Sequence, residues 1–354
     1  MRRLRAQLID MLTEAAEQQQ YTLPHPRIGA SLVHDFLQLL EAPPKRGRSS
    51  RVALQSRTLS HDWLHRHILC IRCPDQAFYL DAIKGYLQQR AIAPLALQAL
   101  IANETDDPYA IALYRPGMDH SRNIMFIALH VSATLVPDRN ALVSDLGAVL
   151  RAVDISVYDF EAMSDRLRLA AEALAAERPE DAALLHWMLD NKYLMFGLRH
   201  GTKRLGVLRD RRTVSRVAGT ILGEMDKLLP ATGPGLEWLP LPTSHQHLYS
   251  PAMLEVVRIN WRGETGTDSM IMIGHFSRSA RYTNASQTPM LEQHWKTLEE
   301  QPLLRQSTFY RRELRTLFDR MPKPALLSTW PTDWLVPLKA MADLTDDTTL
   351  IARY

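Results

Sequence analysis

His67-Ile-Leu-Cys-Ile-Arg-Cys-Pro-Asp-Gln-Ala-Phe-Tyr-Leu-Asp-Ala-Ile-Lys-Gly-Tyr-Leu-Gln-Gln-Arg90 decides how the chain is read. His67 to Arg72 is a short apolar run, the signature of a strand, and Cys73-Pro74-Asp75 breaks it into a turn. From Gln76 to Arg90 the period changes. Phe78, Ala82, Ile83, Tyr86 and Leu87 recur at helical spacing, so a helix follows the turn. Leu95 to Ile101, Tyr109 to Tyr114 and Ile124 to Val131 then read as strands. Pro137 opens a further helix, with Leu142, Leu146, Val149, Leu150 and Val153 as its inner stripe. This β-α-β-β(-β)-α order predicts an antiparallel or mixed sheet with helices on one face, an α+β sandwich.

Upstream, residues 3–20 carry an amphipathic stripe, and Ser31 is placed to cap a second helix with Leu32, Phe36, Leu39 and Leu40 facing inward. Pro43 to Arg51, rich in Pro, Gly, Ser and charge, reads as a linker. Downstream, helices are expected over Phe160 to Ala176 and Glu180 to Asn191. Strands follow over Tyr193 to Leu198, Leu205 to Leu208, Leu236 to Leu241, Met253 to Trp261 and Met270 to Phe276. Gly263 to Asp268 is a hairpin turn in this reading. Helices return over Pro289 to Glu300 and Thr308 to Met321, and Thr348 to Tyr354 reads as a terminal strand.

Composition excludes several classes. At 354 residues the chain is long enough for about two domains. Its 46% hydrophobic and 23% charged residues are those of a globular protein and not of a disordered one. Two cysteines cannot build a disulfide framework, which suggests a reducing compartment. No apolar run reaches membrane-spanning length, and the basic start lacks the apolar core of a signal peptide. A cytoplasmic protein without membrane contact is expected.

Four groups of residues could carry chemistry. His65, His67, Cys70 and Cys73 have zinc-ligand types, but a strand places Cys70 on the face opposite the others, so the cysteines read as structural. His245 and His247 lack further ligands nearby. The run Arg199 to Arg216, including Arg204, Arg209, Arg211 and Arg212, could contact an anion or an acidic partner. With a net charge of only +3 and no interleaved aromatics, nucleic acid is not the expected partner. The turn Asp75-Gln76-Ala-Phe78 leads from a strand into a helix, where backbone N–H groups can hold a carboxylate unless Asp75 caps them. No dinucleotide fingerprint, P-loop, nucleophile elbow or zinc-protease helix can be written on the chain.

Several segments, taken in order, resemble a known family. His61-Asp-Trp-Leu-His-Arg-His67 with Cys73-Pro-Asp-Gln-Ala-Phe-Tyr-Leu-Asp-Ala-Ile83 is similar to the opening of the large NAD-specific glutamate dehydrogenases of bacteria. Val149 to Asp154 with Asp159-Phe160, Leu184 to Leu198, and Ile271 to Ser277 through Tyr282 with Pro289-Met-Leu291 look like later segments of the same region. Where the family carries a basic Ser/Thr run, this chain reads Pro242-Thr-Ser-His-Gln-His-Leu-Tyr-Ser250. The resemblance implies the N-terminal regulatory region, built of ACT-like modules, and not the catalytic core.

That resemblance sets the expected division of the chain. Residues 1–45 are N-terminal helices, 46–160 an ACT-like domain, and 161–192 connecting helices. Residues 193–288 form a β-rich domain flanked by helices, and 289–354 the C-terminal helices and terminal strand. The resemblance implies a non-catalytic regulatory or assembly module, free-standing or part of a longer enzyme, that binds an amino acid or a partner subunit and forms a homo-oligomer. ACT-type analogy points to Asp75, Gln76 and Phe78 as ligand contacts. No catalytic residue, metal or cofactor is assigned to this chain, NAD being expected only for the full family enzyme. The alternative is a part of an NAD-dependent glutamate dehydrogenase, which deaminates glutamate oxidatively to 2-oxoglutarate, with its catalytic core missing here.

Overall fold

The computed structural model describes residues 6, 8–10, 26–41, 52–61, 64–76, 78–104, 111–113, 123–209, 233–239, 255–263, 266–328, 331–336 and 340. They form two compact units that divide between Ile155 and Ser156. Each unit is built on an antiparallel five-stranded sheet. The linker at Pro43 to Arg51, the His245/His247 pair and the terminal strand lie outside the described residues. Among the described residues, no helix is long and apolar enough to cross a membrane.

The first unit contains α1 (Pro26–Glu41), β1 (Ala53–His61), β2 (Leu64–Pro74), α2 (Tyr79–Gln89), β3 (Ala96–Glu104), β4 (Ile111–Leu113), β5 (Asn123–Ser132) and α3 (Arg139–Tyr158), within which the boundary falls. The sheet order is β1-β2-β5-β3-β4. Strands β2 and β3 each pair antiparallel with β5, which separates them, and α2 connects them. They therefore run parallel to each other as a split β-α-β unit.

Both faces of this sheet are buried, where the sequence predicts helices on one face only. Ile68, Cys70, Leu100, Ile124, Phe126 and Ala128 share a core with Leu32, Val33, Phe36, Leu37 and Leu39 of α1, and Leu8 joins it. Phe36 meets Phe126 with ring centroids 4.9 Å apart. The alternate residues Leu69, Ile71, Ile127, Leu129 and Val131 are equally buried on the other face. There Tyr79 of α2 donates to Asp154 of α3 at 2.9 Å, and His67 of β2 reaches the Val136 carbonyl just before α3. The helix assigned upstream of the linker thus supplies the missing layer. A sheet face carrying Ile68 and Phe126 cannot be left in water without forfeiting about 25 cal/mol per Å².

Two local readings differ from the sequence. Ser31 lies inside α1, which begins at Pro26, and so cannot be its cap. Strand β1 was not anticipated at all. It pairs with β2 from Ala53↔Arg72 to His61↔Leu64 as an edge, and its polar Gln55, Ser56, Arg57, Thr58 and Ser60 hide the apolar alternation.

The second unit holds α4 (Phe160–Leu174), α5 (Pro179–Trp187), β6 (Tyr193–His200), β7 (Lys203–Gly206), β8 (Gly235–Leu239), β9 (Glu255–Gly263), β10 (Gly266–Phe276), α6 (Arg278–Tyr282), α7 (Leu291–Glu299), α8 (Pro302–Gln306), α9 (Thr308–Arg320) and α10 (Lys323–Leu327). The sheet order is β7-β6-β10-β9-β8, with β9 and β10 joined as the expected hairpin. One face packs Leu198, Val257, Ile259, Met270 and Met272 against Met163 and Leu167 of α4 and Trp295, Leu314 and Phe318 of the C-terminal helices. Gly206 sits at φ 60°, and a Cβ there would lie 2.1 Å from the Phe196 carbonyl oxygen, so only glycine fits this crossing.

Phe36→Ala should cost about 3–5 kcal/mol in chemical denaturation by emptying the contact between α1 and the sheet. A loss below about 1 kcal/mol would mean that α1 does not cover this face.

Candidate functional site

The turn after β2 is held from three sides. The Asp75 backbone N–H donates to the Asn123 carbonyl at 3.1 Å, continuing the β2–β5 ladder by one residue. Asn103 donates to the Asn123 side-chain oxygen at 2.9 Å, and Asn123 in turn donates to the Asp75 carboxylate at 3.0 Å. The Asp75 carboxylate is thereby engaged by β5. The residue at the helix cap is Phe78, at φ 81° and ψ −19°, and its side chain offers no cap bond. The first helical bond follows directly, Ala82 N–H to the Phe78 carbonyl at 2.8 Å.

A bulky residue in the left-handed region costs of order 1–3 kcal/mol and persists only where its surroundings impose it. Here the chain must leave β2 and enter α2 within four residues, with Tyr79 already anchored on Asp154. The start of a helix leaves backbone donors without intrahelical partners. The turn therefore combines a braced carboxylate, a strained aromatic and a helix-cap residue that makes no side-chain cap bond. Asp75, Gln76 and Phe78 are brought together here, as the sequence places them.

The arginine run is partly described. Arg204 of β7 faces Arg199 of β6 across the strand pair. Arg209 is committed inside its own unit. It pairs with the buried Asp159 at 3.2 Å and lies 5.5 Å from the Tyr158 ring centre. The other Asp159 oxygen accepts from the Gly206 N–H at 2.8 Å. Arg211 and Arg212 lie outside the described residues.

The histidine and cysteine group is held by ordinary contacts. His67 Nε2 donates to the Val136 carbonyl at 2.8 Å, while its Nδ1 accepts from the Thr58 hydroxyl at 2.9 Å. Cys70 and Cys73 are buried free thiols whose donors reach Asp35 and the Met125 carbonyl, each at 3.8 Å. Burial pushes both thiols well above the usual thiol range, so neither is a poised thiolate. Among the described residues, no group of three or more His, Cys, Asp and Glu is placed to hold a metal.

A second cluster escaped the sequence reading. Arg57 of β1, Arg66 of β2, Gln98 of β3 and His130 of β5 all point to the face that α1 covers. Arg57 Nε donates to Asp35 of α1 at 2.6 Å, and Arg66 Nη1 lies 3.4 Å from His130 Nδ1. His130 is fully buried, and burial together with the Arg66 and Arg57 charges lowers its pKa to about 4. Arg57 Nη2, Arg66 Nε, Gln98 Nε2 and His130 Nε2 are buried without a hydrogen-bond partner among the described residues. The only available signal was a charged or amide residue at alternate positions of otherwise apolar strands, and without β1 it stayed incomplete.

No protein-family model matches the chain, and no curated protein matches it.

The lowered His130 pKa ties the first unit to pH. Between pH 6.5 and 4 the unfolded chain binds a proton at this imidazole that the folded chain refuses. Stability is therefore complete above about pH 6.5 and falls as pH drops toward 4, by about 3 kcal/mol from this group. Denaturation of wild type and His130→Gln at both ends of that range checks it. The variant should lose less by most of that amount, and equal losses would assign the acid sensitivity elsewhere.

Proposed function

We propose that this chain is a non-catalytic regulatory or assembly module of the kind found at the N-terminus of large NAD-specific glutamate dehydrogenases. Its first unit acts as an ACT-like module that binds a free amino acid at the turn Asp75-Gln76-Ala-Phe78. One observation carries the reading. At the end of the first strand of a split β-α-β unit, a phenylalanine is held at φ 81° on a helix start without a side-chain cap. An α-carboxylate suits the helix start, where backbone donors and the positive end of the dipole coincide. The Asp75 carboxylate, positioned by Asn123, suits an α-ammonium group. The ordered resemblance of the segments around residues 61–83, 149–160, 184–198 and 271–291 supports the family and assembly into oligomers or with a partner subunit, and the two cysteines support a cytoplasmic setting.

A thermal-unfolding screen against the twenty amino acids, 2-oxoglutarate and NAD(H) tests this function. One amino acid at about 100 times its dissociation constant should stabilise the chain by about 2.7 kcal/mol, and NAD(H) should not. Asp75→Ala should weaken that ligand at least about tenfold, the 1.4 kcal/mol expected for one charge-assisted contact, while leaving the free chain folded. Glutamate-dependent NAD reduction by this chain alone would replace the reading with the enzymatic alternative.

A further inference from the structure

We propose a second ligand site in the first unit, independent of the Asp75 turn: a small carboxylate binds between α1 and the sheet, on Arg57, Arg66, Gln98 and His130.

Position comes first. The register sets Arg57 opposite Ile68, and Ile68 opposite His130, so these three residues form one row across β1, β2 and β5. Arg66 stands two residues along β2 from Ile68, and its guanidinium reaches the His130 ring at 3.4 Å. Gln98 is opposite Ala128 of β5, two residues from His130 on the same face. Four strands thus bring their polar side chains to one patch of an otherwise apolar layer.

The donors then define the ligand. Each of the four side chains carries one buried nitrogen with no partner: Nη2 of Arg57, Nε of Arg66, Nε2 of Gln98 and Nε2 of His130. With Nδ1 of His130 turned to the Arg66 donor, the neutral ring carries its proton on Nε2, which is then a fourth donor. A buried donor left unpaired costs about 1–3 kcal/mol, and a fold does not normally carry four of them on one patch. What satisfies them must be an acceptor throughout. A carboxylate has two oxygens with about four lone-pair sites, which matches four donors.

Charge selects among acceptors. The described carboxylate at the patch is Asp35, which already pairs with Arg57 at 2.6 Å. One positive charge is left over at the patch, and it suits a monoanion better than a phosphate dianion.

The test uses the full chain with acetate as probe. Acetate should raise the unfolding midpoint by at least about 2 °C over chloride at matched ionic strength, and neutral acetamide should not. On the 15N-labelled protein, acetate should shift the His130 Nε2 resonance. Arg66→Gln should weaken both responses at least about tenfold, through loss of a charge-assisted donor. If Arg66→Gln does not fold, Gln98→Leu serves instead. It removes one unpaired donor, so it should raise the midpoint of the free chain while weakening the acetate response. In Asp75→Ala the acetate shift of His130 should persist even where amino-acid binding is lost, which separates this site from the turn. The site is overturned by an acetate response no larger than that of chloride, by an unmoved His130 signal, or by responses retained in both Arg66→Gln and Gln98→Leu. Tighter binding of phosphate than of acetate also overturns the assignment to a carboxylate.

Discussion

The antiparallel pairing of β2 with β5, in the register that sets Cys70 opposite Ala128, is the constraint on which the first unit depends. Both strands are buried on both faces, so each residue is committed to one of two different layers. Ile68, Cys70, Phe126 and Ala128 belong under α1, and Leu69, Ile71, Ile127 and Leu129 belong to the opposite face. A slip of one residue would exchange these sets and drive Arg66 and His130 into the other layer. Helix α2 then has little freedom. It must carry the chain from the end of β2 over one face to β3 on the far side of β5, which makes the β-α-β unit split and places the strained turn where it is.

In the second unit Asp159 is almost wholly buried, yet one oxygen takes the Gly206 N–H and the other pairs with Arg209. Asp181, also buried, accepts from Arg178 and from the Leu236 N–H. These carboxylates close a sheet edge and a helix start, and the role is complete within the chain. The α1 face of the first unit gathers its unpaired groups on one patch. Donors outnumber described acceptors, and the described carboxylate there, Asp35, pairs with Arg57.

Much of the layout was legible, because periodicity reports burial. Strand β5 reads as a continuous apolar run since both its faces are covered, and α3 shows its Leu142, Leu146, Leu150 and Val153 stripe although its second half, from Ala148 to Ser156, is buried nearly all round. The hairpin of β9 and β10 and the helices α7 and α9 were equally plain. What failed was whatever depends on partners distant in sequence. Strand β1 has no alternation of its own and is a strand because β2 offers it an edge. The destination of α1 could not be read either, since a helical stripe does not say which sheet it covers. The polar cluster needs four strands to assemble, so no local pattern marks it. At the turn the position was legible, but the role of Asp75 was not. Its pairing with Asn123 arises from two strands meeting 48 residues apart.

Strand β2 carries both candidate sites, and its geometry keeps them apart. Arg66 and Asp75 are separated by nine residues of extended chain, roughly 30 Å at the rise of an antiparallel strand. The polar cluster also faces α1, whereas the residues leading into the turn, Cys73 above all, feel Asp154 of α3 on the opposite face. No single amino acid spans that distance or reaches both faces. A ligand that fills one site cannot shield the other, and each set of donors must find its acceptor separately. The free donors under α1 are therefore not an extension of the turn, and the two recognition problems are solved by different residues on one strand.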